Sequence, residues 1–462
     1  MRTAYQIAVP LLAALCGWSP AGAAVRPADQ PVRHFPFGVY WPWERTAGIA
    51  RNAGVDSWTF VRQTCRLLKQ EGVDTIWLVN IGVDDTKRLL QITRPLGLKI
   101  LPGLAELEPR NRPETAAVKV DDPDSLERAL AYYRRTIPTI VEAIGDDRSG
   151  VLAWVLGDEP TGGAVVLLEE MRQLFAAADP GRPVLTVSMW HTTPEVIDKT
   201  RLMTLCMDLY PFFGPRSPNG PHTPEASTAF YTNNLQKMVE AAGRDGRVGW
   251  VMPQCYGEVW GPWELRADGT GVALPGAYWH WRMPTPAEVR WQVWEGLRCG
   301  VKGVLFFVLL GNAQGSPGAQ PVEEASVAAV LIREPTPVGP DALLDYVGRP
   351  TEQFRAAASL FRRLAPHRNL LRRLRPTSEE LLTANGAAVG CFQDPTTGVH
   401  YAVVVNRDLA APRTVRLTPG AGIGRLDDVL AKKRLPLRAA GEQRAASMRL
   451  AAGEGCLLKL LR

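Results

Sequence analysis

The chain has 462 residues, 46% hydrophobic and 22% charged, with 42 Gly and 38 Pro, a composition that excludes a disordered, collagenous or coiled-coil protein. Lys and Arg number 53 against 47 Asp and Glu, and the resulting net charge of +6 is too slight an excess to mark a nucleic-acid-binding surface. A single core rarely grows past about 250–300 residues, so this length implies one large unit and a smaller one.

Residues 1–24 read as a secretory signal peptide. Arg2 gives a positive start, 7–16 is an apolar run, and Ala21-Gly22-Ala23 is a small-residue cleavage pattern. The expectation is export to the periplasm or the exterior. The run is too short to span a bilayer, which takes about 20 residues, and no later segment is apolar for long enough, so no membrane insertion is expected. Leu15 before Cys16 departs from the small residue of lipoprotein signals. The other cysteines, Cys65, Cys206, Cys255, Cys299, Cys391 and Cys456, are too sparse for a disulfide scaffold and show no zinc-ligand spacing. Cys391 and Cys456, in the first and last strand candidates of the C-terminal region, are the pair that a bridge would join.

From residue 35 onward, short apolar runs alternate with amphipathic stretches. Strand candidates fall at 37–43, 75–82, 99–108, 151–160, 183–190, 202–213, 248–258 and 303–311, with helical patterns at 57–72, 125–145, 164–178 and 286–300. Asp121-Asp122-Pro123 and Thr285-Pro286 are helix-opening signals. Strands alternating with helices imply parallel βαβ units, and eight of them predict a (β/α)8 TIM barrel over 33–340. A doubly wound sheet would show a glycine-rich phosphate loop after its first strand, whereas here that strand runs into Tyr40-Trp41-Pro42-Trp43. Residues 341–375 read as one long amphipathic helix packing on or closing the barrel, with Phe354, Ala358, Phe361, Leu364, Leu370 and Leu371 on one side. Beyond Pro376, β-like runs at 387–394, 399–408, 413–419 and 455–462 predict a small antiparallel β-sandwich over 376–462. The fold class expected is α/β, a barrel followed by a small all-β domain.

Barrel enzymes carry their chemistry at the C-terminal ends of the strands. The fourth candidate ends Gly157-Asp158-Glu159-Pro160, and the seventh ends with Gln254, Tyr256 and Glu258. Adjacent carboxylates repel, and burial raises a carboxyl pKa, which makes a general acid near neutrality. Two carboxyls across a mouth are what cleavage of a glycosidic bond requires. The segment Trp154-Val155-Leu156-Gly157-Asp158-Glu159-Pro160 resembles the W-x-x-x-N-E-P strand-four motif of the large (β/α)8 retaining glycoside hydrolase clan that includes cellulases and β-galactosidases. The resemblance covers roughly 35–315. It implies that Glu159 is the acid/base and that Asp158 stands where the clan has an Asn contacting the sugar 2-hydroxyl. The clan places its nucleophilic Glu near the end of strand seven, where this sequence has Gln254, with Glu258 four residues later. A neutral amide cannot form a glycosyl-enzyme, which leaves three readings: Glu258 is the nucleophile on a shifted loop, the mechanism differs, or the site binds without cleaving. Glu106, Glu108 and Asp208 are further strand-end candidates. The Asp158-Glu159 pair is also similar to that of N-acetylhexosaminidases of another barrel class, in which the substrate's acetamido group is the nucleophile. A non-catalytic carbohydrate-binding barrel is the rival of a different kind.

Flat rings stack on sugar faces while polar side chains bond the hydroxyls. Trp41, Trp43, Trp190, Trp260, Trp263, Trp279 and Trp281 fall at strand ends or in the long 258–285 segment, which is placed to wall the cleft. The expected catalytic residues are Glu159 and Glu258. The expected substrate contacts are Asp158, Trp41, Trp43, Trp190, His191, Tyr210, Gln254, Tyr256 and Trp260, with an oligo- or polysaccharide as the partner. No HExxH or clustered ligand spacing points to a metal, no GxSxG elbow to serine hydrolysis, and no strand-end Lys to Schiff-base chemistry, so no cofactor is expected.

Overall fold

In β1 (Phe37–Pro42), the side chains of Phe37, Val39 and Trp41 pack outward against helices while Tyr40 points into the barrel. The same period of two recurs in β2 (Thr75–Ile81), where Ile76 and Leu78 face out and Trp77 and Val79 face in. Both faces of each strand are dry, as parallel sheets require. This computed structural model describes residues 30–462 except 109–114, 116–117, 119–121, 261, 266–270, 274–275, 312–330, 333–341 and 441–442. The segment expected to be a signal peptide, 1–24, lies outside the described residues.

The barrel continues through β3 (Lys99–Leu104), β4 (Trp154–Asp158), β5 (Val184–Met189), β6 (Thr204–Leu209) and β7 (Val248–Pro253). An insertion follows, with β8 (Glu258–Trp260), β9 (Trp263–Leu265), β10 (Gly271–Ala273) and β11 (Tyr278–Trp281), before the eighth barrel strand, β12 (Val304–Phe306). The eight barrel strands are parallel in the order β3-β2-β1-β12-β7-β6-β5-β4. A parallel bridge between Ile100 and Val151 brings the two edges together, and the Leu152 N–H donates to the Ile100 carbonyl over 2.8 Å. β8 and β11 pair as an antiparallel ribbon beside the mouth.

The crossover helices are α1 (Thr46–Asn52), α2 (Ser57–Gln70), α3 (Val83–Thr93), α4 (Pro123–Ile144), α5 (Gly163–Ala178), α6 (Thr193–Lys199), α7 (Pro224–Arg244) and α8 (Pro286–Cys299). Their starts follow from local chemistry. Asp56, Asp122 and Thr223 accept first-turn N–H groups, and Thr285 with Glu288 forms a reciprocal capping box.

The stretch expected as one helix over 341–375 is divided into α9 (Glu352–Leu364), a 3-10 turn at Ala365–His367 and α10 (Arg368–Arg373). Pro366 lacks the N–H that would continue the helix, and its ring obstructs the preceding turn. Phe361 of α9 lies 5.0 Å from Phe37 and 5.8 Å from Phe306, so α9, which follows the last barrel strand, covers β1 and β12.

A short β13 (Leu331–Ile332) pairs with β10. The C-terminal strands are β14 (Arg375–Pro376), β15 (Leu382–Asn385), β16 (Ala388–Gln393), β17 (His400–Val405), β18 (Arg413–Pro419), β19 (Arg425–Asp428), β20 (Lys433–Leu435), β21 (Arg438–Ala440), β22 (Gln443–Leu450) and β23 (Gly455–Leu461). They form a six-stranded sheet, β14-β16-β17-β23-β19-β20, and a four-stranded one, β15-β18-β22-β21, with a shared apolar core. All six described cysteines are free. Cys391 and Cys456 pair with Ala402 and Val404 on opposite sides of β17. Two strand spacings put them about 10 Å apart, beyond the reach of a disulfide.

Candidate active site

Glu159 follows β4 with φ at 48°, a left-handed conformation that costs an ordinary side chain roughly 1–2 kcal/mol. Its N–H donates to the Val187 carbonyl over 3.1 Å, which fixes the turn, and its side chain is exposed at the mouth. The half-buried carboxylate of Asp158 accepts from the Tyr40 hydroxyl over 3.0 Å. Asp208, near the end of β6, is buried, and its carboxyl forms a hydrogen bond with that of Glu159. Burial, then the charge of Glu159 and this hydrogen bond, push the Asp208 pKa far above the usual carboxyl range. Beyond β7, Glu258 is half-buried; burial and the charge of Glu159 raise it from 4.5 to about 7, against the opposing effects of the Trp260 indole, Arg45 and the Tyr256 hydroxyl. The Trp260 indole N–H donates to Glu258 over 2.8 Å.

Aromatic rings enclose these carboxyls. Phe307, just after β12, has its ring centroid 4.8 Å from Tyr40, 4.7 Å from Tyr256 and 5.5 Å from Tyr210. Trp281 of the ribbon lies 5.5 Å from Tyr210. Trp260 stacks on buried His280 at 3.6 Å and 6°, and burial lowers the His280 pKa to about 4. Trp190 and Trp260, at 46% and 37%, are the exposed large hydrophobic residues among those described. Exposed His191 lies 5.2 Å from Trp190.

Three expected substrate contacts lie elsewhere. Trp41 is fully buried on the outer face of β1, where its indole N–H donates to Thr46 over 3.0 Å. Trp43 is half-buried against Trp58, with its indole bonded to Asp85 over 2.8 Å. Gln254 is fully buried and bound to backbone: its side-chain oxygen accepts from Phe212 N–H at 2.9 Å and its amide donates to the Arg282 carbonyl at 2.7 Å. The Gln292 side chain meets both the N–H and the carbonyl of Gln254. An amide used in this way has nothing to offer a ligand.

Of the other candidates, Glu106 accepts from Val83 N–H at the start of α3, and Glu108 lines a narrow crevice with Gly157 and Asp158. Tyr40 and Phe307 enter the mouth without having been singled out, and Trp281, expected in the wall of the cleft, lies there too. Nothing is described of the Trp263 side chain. Among the described residues, no cluster of His, Cys, Asp or Glu is placed to hold a metal ion, and no helix is long and apolar enough to cross a membrane.

These features define a (β/α)8 barrel with a carboxyl-lined, aromatic-walled mouth, and the same barrel occurs in solved glycoside hydrolases. No sequence-family model matches the chain, and neither does any curated protein. The structure is similar to Gan42B, a GH42 β-galactosidase from G. stearothermophilus, at 8% identity over 95% of this chain and 100% of that one, with a TM-score of 0.58. It is also similar to a protein described as a glycoside hydrolase, at 11% identity over 87% and 88% of the two chains with a TM-score of 0.53. A glycoside hydrolase family 5 protein from Bacteroides vulgatus gives 12% identity, 92% and 90% coverage and a TM-score of 0.51. At these identities the likeness is one of fold.

Proposed function

We propose that the protein is an exported glycoside hydrolase acting on an oligo- or polysaccharide, with Glu159 as proton donor and Glu258 as the second carboxylate. One observation carries this reading: Glu159, just after β4, and Glu258, which opens β8 beyond β7, interact electrostatically across a mouth lined with aromatic rings. Glycosidic cleavage needs one group to protonate the leaving oxygen and another to attack the anomeric carbon or activate water. Glu159 takes the first role from its place in the strand-four motif. Glu258 holds a proton up to about 7 and must lose it to take the second role, so activity is expected to rise as pH climbs through that value. Trp190, Trp260 and Tyr210 offer rings and a hydroxyl to the sugar, with His191 beside Trp190, while Tyr256, expected as a contact, is buried behind Tyr210 at 5.1 Å.

The test is turnover of the purified chain on aryl glycosides and polysaccharides, beside Glu159→Gln and Glu258→Gln. The two-carboxylate reading expects both variants to lose at least about 100-fold in kcat, with Glu159→Gln retaining activity on substrates whose leaving group needs no proton. The hydrogen bond from Tyr40 that orients Asp158 beside Glu159 favours a second reading, substrate assistance by an acetamido group. Activity confined to N-acetylated sugars and insensitive to Glu258→Gln would select it. Binding of sugars without turnover by any form would leave a carbohydrate-binding barrel. Export is tested by N-terminal sequencing of protein recovered outside the cytoplasm, expected to begin near Ala24; an intact Met1 there would refute cleavage.

A further inference from the structure

Asp208 is 5% exposed, and its backbone is held in register between Met189 of β5 and Met252 of β7. Its Oδ1 is enclosed and meets no donor among the described residues. The titratable groups that act on it or feel its charge are Glu159 and Asp158 from β4, Cys206 of its own strand, Tyr210 just after that strand and Tyr256 beyond β7. The β5 residues beside it, Ser188 and Met189, carry no charge. None of these neighbours is a cation, so among the described residues no ion pair compensates the buried carboxyl. Two carboxyls in hydrogen-bond contact need a proton between them, because neither anion can donate.

Building on the hydrolase reading, we propose that Asp208 is a positioning residue for Glu159: the two carboxyls share one proton, stored on buried Asp208 and delivered to the leaving oxygen by exposed Glu159. The proton passes from Asp208 to Glu159, then to the glycosidic oxygen as the C–O bond breaks and its electron pair stays on that oxygen. Both carboxyls are then anionic. In the retaining course, water next attacks the anomeric carbon, its proton goes to Glu159, and the bond to the second carboxylate breaks. The pair recovers its single proton, and water is the only co-reactant. Loss of the shared proton outside turnover would leave two anions side by side in a buried site. The pair therefore stays loaded above the range of an isolated glutamate, and Asp208 sets the alkaline limit of activity.

Two measurements on the full chain test this. The first is kcat/KM against pH for the wild type and Asp208→Asn, an isosteric change that keeps a hydrogen-bond donor but cannot relay the proton. The alkaline limb is expected to move down by about one pH unit or more on aryl glycosides with poor leaving groups, with little change on dinitrophenyl glycosides. A uniform loss on both substrates at every pH would overturn the proposal. The second reads protonation directly, by 13C NMR of protein labelled at the aspartate carboxyls. It expects one aspartate, absent from Asp208→Asn, to remain protonated at neutral pH and to titrate lower in Glu159→Gln. A wild-type spectrum with every aspartate ionised, or a protonated signal that ignores Glu159→Gln, would overturn the proposal even if glycosides are hydrolysed. A coupled aspartate in a protein that cleaves no glycoside would instead overturn the hydrolase reading and leave the shared proton standing.

Discussion

Burial of Glu258 has a cost in stability as well as a use in chemistry. Its carboxyl titrates at about 7 in the folded chain against 4.5 ordinarily, so between those values the folded state binds a proton that the unfolded state has lost. Stability is therefore not reduced by this group at low pH and falls as pH rises from 4.5 to about 7, by about 3 kcal/mol at 1.36 kcal/mol per unit. Glu258→Gln, neutral at every pH, is expected to raise Tm at pH 8 and to leave it nearly unchanged at pH 4.5. An equal shift at both pH values would refute the assignment. At this scale the sequence exposed Asp158, Glu159 and Glu258, because the strand-four motif and the strand-seven end draw attention to carboxyls. It hid the inward tyrosine of β1, because 37–43 is apolar or aromatic throughout and a strand with two dry faces shows no alternation.

Among the elements, the join between β7 and the insertion depends on Gln254. Its side-chain amide meets the backbone of Phe212 and Arg282, tying the segment after β6 to the end of the ribbon, while its own backbone N–H and carbonyl meet the Gln292 side chain of α8. Gln254→Ala is expected to cost about 2–4 kcal/mol by leaving buried partners unsatisfied, read as a fall in denaturation midpoint. KM for a sugar substrate should stay within about twofold, since the side chain reaches no ligand. Trp260→Ala should do the reverse, raising KM with little effect on stability, because its ring is 37% exposed. A larger KM change in Gln254→Ala than in Trp260→Ala would put the amide back in the mouth. The eight barrel strands were legible because each is a short apolar run between turn residues. Helices α1, α3, α6 and α7 were not singled out, and the division at Pro366 was missed because the apolar side chains on either side of it, Leu364 and Leu371, seven residues apart, continue the same stripe.

For the whole molecule, the barrel and the C-terminal sheets are joined through α8. Glu295, fully buried, accepts from Arg298 at 2.7 Å, Arg407 at 2.5 Å and Thr232 at 2.6 Å, and despite burial these hydrogen bonds and charges keep its pKa below the usual range. Arg407 comes from the loop after β17, so the cluster spans both units. Arg407→Ala is expected to destabilise by about 2 kcal/mol, since Arg298 remains, and to lower Tm without changing KM. An unchanged Tm would show that the contact contributes nothing to the join.

β17 belongs to two cores at once. Tyr401, Val403 and Val405 join the apolar layer of the barrel's helices, while Ala402 and Val404 face the second sheet. Its neighbour on one side is β23, where Gly455 lies so close to the Trp294 ring that an added Cβ would come within 2.6 Å of it. A growing chain that has completed every barrel strand therefore still has the α8 flank open and β17 without one partner, and it stays adhesive until synthesis passes residue 455. The order of assembly is thus governed from the distal end: the barrel is translated first, but its outer wall is sealed by residues made about 150 positions after β12.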